Sequence, residues 1–166
     1  MASILPLPPG VVGEFVGRSH VDLPRVTELL NLYPTLIHSA FDWGNGDWET
    51  ALGAATHSGR KDIVEFLLSR GARMDIFAAA MMGRLSLVRA FLNESPGLLH
   101  QTGPHGISLI EHAKKGGDHE VIAYLNHLLH PEKKKSGSGV QRNGKSRPVS
   151  RPRLSKPAKM KRRRAA

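Results

Sequence analysis

A nine-residue segment, 41–49, contains the residues best suited to binding another molecule. It holds both tryptophans of the chain, Trp43 and Trp48, together with three carboxylates and an Asn-Gly pair that is typical of a tight turn. Exposed aromatic side chains are frequent anchors of protein contacts. The alternative is that both rings only pack over neighbouring helices, and for Trp48 the sequence favours this alternative slightly.

Nine histidines make a metal site worth considering, because imidazole is a common metal ligand in proteins. His127 and His130 lie three residues apart, and His112 and His119 lie on either side of a glycine pair. Neither pair has a third ligand at a regular spacing, and the chain has no cysteine that could complete a zinc site. The sequence therefore predicts no metal and no other cofactor.

Catalysis is not indicated either. The sequence has no nucleophile elbow of the Gly-X-Ser-X-Gly type, no phosphate-binding glycine loop and no pair of carboxylates at a fixed spacing. The absence of cysteine excludes a thiol nucleophile as well as a disulfide framework. We predict that the protein is not an enzyme.

The C-terminal segment carries most of the positive charge. Residues 131–166 contain 14 basic residues and one acidic residue, whereas the first 130 residues contain 10 basic and 13 acidic residues. With four prolines and hardly any large apolar side chain, this segment is predicted to be a disordered polybasic tail. Its predicted nucleic-acid-binding residues are Lys133, Lys134, Lys135, Arg142, Lys145, Arg147, Arg151, Arg153, Lys156, Lys159, Lys161, Arg162, Arg163 and Arg164. Such a tail would bind phosphates without sequence specificity and with a strong dependence on salt.

Other partners for the tail stay open at this stage. An anionic membrane surface, an acidic protein or the slightly acidic first 130 residues would attract the same cations. The tail could also act as a nuclear-import signal or only as a solubilising segment. No aromatic residue follows Tyr124, so stacking on single-stranded bases is not expected.

Residues 1–10 are predicted to be a flexible, proline-rich N-terminal arm. They contain no basic residue, and Pro6, Pro8 and Pro9 interrupt the apolar run, which is not typical of a secretory signal. No apolar stretch of the chain approaches the length of a transmembrane helix. We therefore expect a cytoplasmic protein without a transmembrane segment, and its oligomeric state stays undetermined.

Between these ends, the same helical pattern recurs four times. Three copies have apolar residues four, five and eight positions after a glycine, and an earlier copy keeps the apolar stripe without the glycine. The stripes contain Val26, Leu29 and Leu30; Ile63, Val64 and Leu67; Leu87, Val88 and Phe91; and Val121, Ile122 and Leu125. Shorter helices of small residues are predicted at 51–57, 76–82 and 108–115. Pro34 and Pro96 are predicted to lead from helices into extended segments.

The clearest copy, residues 47–72, resembles an ankyrin repeat. Thr50 and Leu52 match the threonine and leucine of the family's Thr-Pro-Leu-His turn, and alanines follow in the first helix. A glycine between the helices, Ile-Val and Leu-Leu pairs in the second helix and a closing Gly-Ala also match. Ala51 and Gly53 stand where the motif has proline and histidine.

The resemblance extends more weakly over residues 15–129 and implies an all-α fold. Residues 11–130 would form an α-solenoid of about four stacked helix-turn-helix ankyrin-like repeats, each packed mainly on its neighbours. In this family the inner helices and the fingers between repeats line a concave face that binds protein partners. The resemblance therefore implies a non-catalytic protein-interaction module whose partner is an unidentified protein or peptide.

The spacing of the stripes predicts where a finger can form. The stripes at Val26 and Val64 are 38 residues apart, which leaves room for an enlarged finger at 41–49. The next spacing is only 24 residues, so the chain is expected to pass from Arg73 and Met74 directly into the following helix. The aromatic segment and the enlarged finger therefore coincide.

The resemblance places the candidate binding residues on the concave face. Trp43 and Trp48 would supply apolar area, whereas charged and histidine side chains would orient the partner. Met82 is expected to be exposed there, and its neighbour Met81 to be buried in the core. The full predicted site comprises Trp43, Asn45, Asp47, Trp48, Glu49, His57, Arg60, Met82, Arg84 and His105.

Overall fold

The structure of the protein is a computed structural model that describes residues 7–131. These residues belong to one compact unit. Apart from Pro131, the predicted polybasic tail, with all 14 of its basic residues, lies outside the described residues, as do the first six residues of the predicted N-terminal arm.

Eight α-helices, three short 3₁₀ helices and one β-hairpin make up the regular structure of the described residues. The α-helices and strands are α1 (Val11–Arg18), α2 (Leu23–Leu32), β1 (Ala40–Asp42), β2 (Trp48–Thr50), α3 (Ala51–His57), α4 (Lys61–Ser69), α5 (Ile76–Met81), α6 (Leu85–Glu94), α7 (Leu109–Gly116) and α8 (His119–Leu129). The described chain is therefore mostly helical, as predicted, and the hairpin is the exception to the all-α prediction.

The helices pair in chain order, and the first helices of the pairs also contact one another. Helix α1 packs on α2, α3 on α4, α5 on α6 and α7 on α8. Contacts also run from α1 to α3, from α3 to α5 and from α5 to α7, and the last of these is the most extensive contact between any two elements described. The predicted stripes supply most of the buried faces of the second helices, where Val26, Val64, Val88 and Val121 are all fully buried. The prediction is wrong for Leu87 of the third stripe, which is exposed.

Small residues allow the first helices of the pairs to approach closely. Ala54 and Ala55 in α3 and Ala79 in α5 are completely buried. Gly116 ends α7, and a Cβ atom at this position would lie 1.9 Å from the carbonyl oxygen of Met81 in α5. Only glycine permits this approach, because any side chain would meet the backbone of the neighbouring helix.

Two clusters of buried side chains form the core. The first includes Phe15 and Leu67, and the second includes Leu125. Helix α5 belongs to both, because Met81 lies in the first cluster and Ile76 in the second. The predicted assignment of Met81 to the core is confirmed.

The extended segments predicted after Pro34 and Pro96 are wrong. Pro34–His38 and Pro96–His100 each form a 3₁₀ helix. Proline lacks an N–H group and has a helical φ angle, so it suits the first turn of a helix. Only the residue before each proline leaves the helical region, with ψ angles of 78° and 79°.

The predicted finger is a two-stranded antiparallel hairpin, and we use the name finger for residues 40–50. Phe41 pairs with Glu49 at its centre. At the tip, Asn45 has a φ angle of 57° between two glycines that also have positive φ angles. Asparagine and glycine tolerate this left-handed conformation, which lets the strands reverse within a short turn.

The described segment between α4 and α5 contains no strand, as the short spacing predicts. The chain passes through Arg73 and Met74, and Asp75 caps α5 by accepting a hydrogen bond from the backbone N–H of Ala78 at 2.7 Å. Burial raises the pKa of Asp75. A single capping residue therefore replaces a finger at this junction.

Within residues 7–131, none of the helices combines the length and the hydrophobicity that crossing a bilayer requires.

Candidate functional site

The finger packs against the face of helix α1 that carries Gly13 and Gly17, which have no side chains. A Cβ atom at Gly13 would lie 2.8 Å from Cε2 of Phe41, and one at Gly17 would lie 3.8 Å from Cη2 of Trp43. The two rings contact each other edge to face, with centroids 4.8 Å apart. Because residues four apart share one face of a helix, the two glycines form a seat for the finger.

Four side chains meet at one site, and each comes from a different part of the chain. His20 follows α1, Glu49 lies in β2, His57 ends α3 and His105 lies in the 3₁₀ turn Pro104–Gly106. One nitrogen or oxygen atom from each can be chosen so that all four lie within 4.8 Å of one another. We call these four residues the histidine–carboxylate cluster.

Glu49 is the centre of the cluster and is fully buried. Its Oε1 accepts a hydrogen bond from Nε2 of His57 at 2.7 Å, and its Oε2 accepts one from Nε1 of Trp43 at 2.7 Å. Nε2 of His105 lies 3.5 Å from Oε1, and Nε2 of His20 lies 3.6 Å from Oε2. Burial acts to raise the pKa of Glu49, but the two hydrogen bonds and the positive charges of neighbouring histidines outweigh it and leave the pKa below its ordinary value.

Asp47 fixes His105 from outside the cluster. Its Oδ2 accepts a hydrogen bond from Nδ1 of His105 at 2.6 Å, and its Oδ1 accepts one from the backbone N–H of His105 at 2.9 Å. These bonds hold His105 at a φ angle of 58°, a left-handed conformation that few residues other than glycine adopt. The backbone hydrogen bond, followed by that of the ring, lowers the pKa of Asp47.

The missing side chain of Gly53 lets the turn around His105 approach the finger. A Cβ atom at Gly53 would lie 3.2 Å from Cγ of Pro104. Thr50 still caps α3, because its Oγ1 accepts a hydrogen bond from the backbone N–H of Gly53 at 3.0 Å. A position that departs from the ankyrin motif therefore provides the space for the fourth member of the cluster.

The orientation of His20 is set by the end of α1. Its Nδ1 lies 3.0 Å from the carbonyl oxygen of Gly17, and because a carbonyl can only accept, Nδ1 carries the hydrogen. Nε2 therefore faces Glu49. The ring of His57 contacts the rings of His20 and His105 edge-on, with centroids 4.9 and 5.0 Å apart. Three imidazoles thus surround one carboxylate.

Half of the predicted binding residues meet at this site. Trp43, Asp47, Glu49, His57 and His105 all take part in the hydrogen bonds around the cluster. One predicted role needs correction, because Glu49 is fully buried and cannot touch a partner directly. It instead fixes the positions of its neighbours.

Two further predicted residues, Trp48 and Asn45, lie on the same finger and are exposed. Trp48 is 62% exposed and Trp43 is 45% exposed. The slightly favoured alternative for Trp48, packing over the edge of the helices, is therefore wrong. Successive residues of a strand point to opposite faces, so a buried Glu49 turns Trp48 towards solvent.

The remaining three predicted residues lie outside the cluster. Arg60 donates hydrogen bonds to both carboxylate oxygens of Asp62, at 2.9 and 2.7 Å, and to the carbonyl oxygen of Val21. The hydrogen bond to Asp62 raises the pKa of Arg60. Met82 is half-buried against the core rather than exposed, since its side chain packs beside the first core cluster. Arg84 is exposed at the start of α6.

Neither His20 nor the grouping of the histidines was predicted from the sequence. In the described residues, the histidine–carboxylate cluster is the one group of at least three potential metal ligands, and neither histidine pair singled out from the sequence belongs to it. No regular spacing relates positions 20, 49, 57 and 105, so only the packing of the finger could reveal the cluster.

His112 has a structural role close to the site. It is fully buried, its Nδ1 donates a hydrogen bond to the carbonyl oxygen of Ser108 at 2.8 Å, and its Nε2 has no hydrogen-bond partner. Burial lowers the pKa of His112. The ring also lies against Gly103, where a Cβ atom would be 3.1 Å from Cε1. His112 therefore supports the loop that precedes His105.

Comparison with known proteins agrees with the resemblance seen in the motif. No curated protein matches this sequence. The family model described as ankyrin repeat matches residues 47–78, a stretch that includes strand β2 of the finger, helices α3 and α4 and the start of α5. This match supports the assignment of the chain to the ankyrin-repeat family.

Proposed function

We propose that this protein is a non-catalytic interaction module that binds a protein or peptide through its finger. Ankyrin repeats are generally protein-interaction modules, and the family is typically non-enzymatic. We further propose that the four helix pairs stack as an α-solenoid, with the finger and the ends of α3 and α5 on the binding face.

The exposure of the two tryptophans carries this proposal. Trp48 leaves 62% of its surface in water, although it belongs to the side-chain type that contributes most often to binding hot spots. Covering that surface would remove about 150 Å² of mostly apolar area from water, a gross gain of about 3–4 kcal/mol. An exposed tryptophan on a well-anchored hairpin is therefore a suitable anchor for a partner.

The anchoring of the finger supports the same proposal. Phe41 packs over Gly13, Trp43 donates a hydrogen bond to the buried Glu49, and Asp47 binds His105. Binding is tighter when the contacting side chains are already held in place, because less conformational entropy is lost. The finger is thus prepared to present Trp48 without rearranging.

The proposed site is tested by capturing partners with the full chain as bait in a lysate of the source cells. Trp48→Ala is expected to weaken retention of a specific partner at least about 30-fold, which corresponds to about 2 kcal/mol. Leu32→Ala is the matched control, because Leu32 is also 62% exposed but lies in α2. The control should bind like the unchanged protein.

The intrinsic fluorescence of the finger gives a second measurement. Both tryptophans of the chain lie in the finger, so a partner that docks there should shift the emission of the complex. Equal partner retention by Trp48→Ala, Trp43→Ala and the unchanged protein would show that the finger is not the binding site. The proposal would then have to be abandoned for this face.

A second function is favoured by the charge of the C-terminal segment. We propose that residues 131–166, with 14 basic residues and one acidic residue, bind nucleic acid without sequence specificity. The test is binding to arbitrary duplex DNA across a salt series, for the full chain and for a version ending at His130. A steep salt dependence that disappears on truncation supports this function, whereas no binding of the full chain at low salt excludes it.

Three expectations from the sequence stay predictions. They are the domain boundaries after residues 10 and 130, the disorder of the tail and the cytoplasmic location. Limited proteolysis of the full chain would test the first two, since cleavage should concentrate outside residues 11–130. Cell fractionation would test the third.

A further inference from the structure

We propose that the histidine–carboxylate cluster binds one divalent transition-metal ion of the kind that prefers imidazole ligands, such as Zn²⁺. This inference goes beyond the proposed function, and its test requires no protein partner. It contradicts the expectation from the sequence that the protein binds no metal.

The hydrogen bonds behind two of the histidines point their free nitrogens into the cluster. Nδ1 of His20 donates to the carbonyl oxygen of Gly17, and Nδ1 of His105 donates to the carboxylate of Asp47. A neutral imidazole whose hydrogen is on Nδ1 carries its lone pair on Nε2. When both rings are neutral, the two Nε2 lone pairs face the carboxylate of Glu49, which is itself an acceptor.

With His20 and His105 neutral, no hydrogen lies between their Nε2 atoms and the carboxylate of Glu49. Nε2 of His105 lies 3.5 Å from Glu49, and Nε2 of His20 lies 3.6 Å from it, longer than the usual length of a hydrogen bond. A cation between the acceptors would convert this unfavourable contact into coordination. A buried carboxylate also needs a compensating charge, and Glu49 together with Asp47 carries two negative charges.

Two histidines of the cluster already make the kind of hydrogen bond that orients metal-binding histidines in proteins. Metal-binding histidines usually donate their second nitrogen to a carboxylate or a backbone carbonyl, which orients the ring. His105 uses a carboxylate and His20 uses a carbonyl in this way. The sequence therefore supplies both the ligands and the groups that hold them.

Small adjustments would bring the four ligands to bonding distance. Ligand atoms around a tetrahedral zinc ion lie about 3.4 Å apart, and those of the cluster lie within 4.8 Å of one another. The longest gap would have to close by about 1.4 Å, a displacement of the size that changes in side-chain χ angles produce. His57 would release Glu49 and move its hydrogen from Nε2 to Nδ1.

The ligand types select the class of ion. Three imidazoles and one carboxylate suit zinc and other first-row transition metals, whereas Mg²⁺ and Ca²⁺ prefer sites made of oxygen atoms. The cluster contains only one residue that offers oxygen. Zinc should therefore bind much more tightly than magnesium.

The test is a titration of metal-free, full-length protein with ZnCl₂ and with CoCl₂, followed by calorimetry and by the visible spectrum of bound cobalt. We expect one ion per chain and a cobalt spectrum typical of four-coordinate sites. Because Trp43 donates to Glu49, zinc should also change tryptophan emission. MgCl₂ is the control, because Mg²⁺ prefers oxygen ligands and should bind much more weakly.

His20→Asn and His105→Asn are the informative variants. The amide nitrogen of asparagine can replace Nδ1 and keep the hydrogen bond to Gly17 or Asp47, while the Nε2 ligand is lost. Each variant should bind zinc more than about 100-fold more weakly, and Asp47→Asn, which alters only the outer support, should lose about 10- to 100-fold. His100→Asn changes an exposed histidine outside the cluster and should keep the affinity within about twofold.

Circular dichroism should show that His20→Asn and His105→Asn are folded. If only one of the two variants folds, the comparison is made with that variant. The inference is wrong if the unchanged protein binds no zinc or cobalt at micromolar concentrations. It is also wrong if both asparagine variants bind as the unchanged protein does, or if magnesium competes with zinc at similar concentrations. If no ion binds, His57 serves only as a hydrogen-bonding partner of Glu49, and His20 and His105 are only its neighbours.

Discussion

The contact between α5 and α7 leads to a sharp prediction about stability. Gly116→Ala adds a single methyl group at the end of α7, where it would lie 1.9 Å from the carbonyl oxygen and 2.6 Å from the carbonyl carbon of Met81. Carbon and oxygen atoms that are not bonded approach no closer than about 3.2 Å. The two helices therefore have to separate by more than 1 Å, as a rough estimate.

The expected loss of stability follows from two opposing effects. Overpacking of a well-filled core costs about 1–3 kcal/mol, and here the cost falls at the upper end because the obstacle is backbone and cannot rotate away. Alanine is favoured over glycine in a helix by at most about 1 kcal/mol. The net destabilisation should be about 2 kcal/mol.

The measurement is urea unfolding of the full chain, followed by far-ultraviolet circular dichroism. A lower transition midpoint with an unchanged slope would report the loss of stability directly. Gly97→Ala is the matched control, because Gly97 is exposed and a Cβ atom there has no neighbour within 4 Å. It should leave the free energy of unfolding unchanged or raise it by up to about 1 kcal/mol.

A free energy of unfolding for Gly116→Ala within about 0.5 kcal/mol of the unchanged protein would refute this reasoning. Such a result would mean that α5 and α7 do not touch through Gly116. The stacking of the third and fourth helix pairs would then be wrong, and so would the position of the turn that carries His105.

Three further predictions concern the finger and its surroundings. Zinc at about 100 times its dissociation constant should stabilise the protein by about 2.7 kcal/mol, seen as a higher unfolding temperature that is absent in His105→Asn. Gly13→Ala should destabilise the protein by about 1–2 kcal/mol and shift tryptophan emission, because the new Cβ atom would lie 2.8 Å from Cε2 of Phe41. Unchanged emission would contradict the packing of the finger on the two glycines of α1. Because the pKa of His112 is lower in the folded protein than in the unfolded chain, the unfolded chain takes up a proton at a higher pH, and the protein loses stability as the pH falls below about 6.5. In unfolding measurements between roughly pH 7.5 and 5.5, His112→Asn should therefore lose less stability than the unchanged protein.

Local patterns account for the parts of the fold that the sequence could predict. The apolar stripe around Val64 specifies one buried helix face, and the 38-residue spacing before it specifies the finger. Both depend on residues that are close in sequence, and for such residues periodicity and spacing are reliable guides. The 3₁₀ turns after Pro34 and Pro96 were missed because proline at the start of a helical turn and proline at the end of a helix look alike in the sequence.

The cluster could not be predicted, because nothing local relates its members. His20 and His105 are brought together by the finger, which in turn depends on the absence of side chains at Gly13 and Gly53. A glycine in a helix looks only like a weak helix former in the sequence. Its role as a space for another segment becomes visible only when the packing is known.

The exposure of Trp48 shows a second limit of the same kind. A large aromatic residue beside a repeat is more often buried than exposed, and this general tendency favoured packing. The buried Glu49 decides the outcome, because the strand can turn only one of two neighbouring residues inward. A buried carboxylate is the rarer choice, and it is possible here because His57 and Trp43 donate hydrogen bonds to it.

The central claim, that a partner docks on the finger, is tested most directly by hydrogen exchange of the full chain with and without a captured partner. Protection on binding should appear in the backbone amides of residues 43–48 and should be absent from α6, on which the proposal places no contact. Protection of α6 with no change in residues 43–48 would contradict the claim.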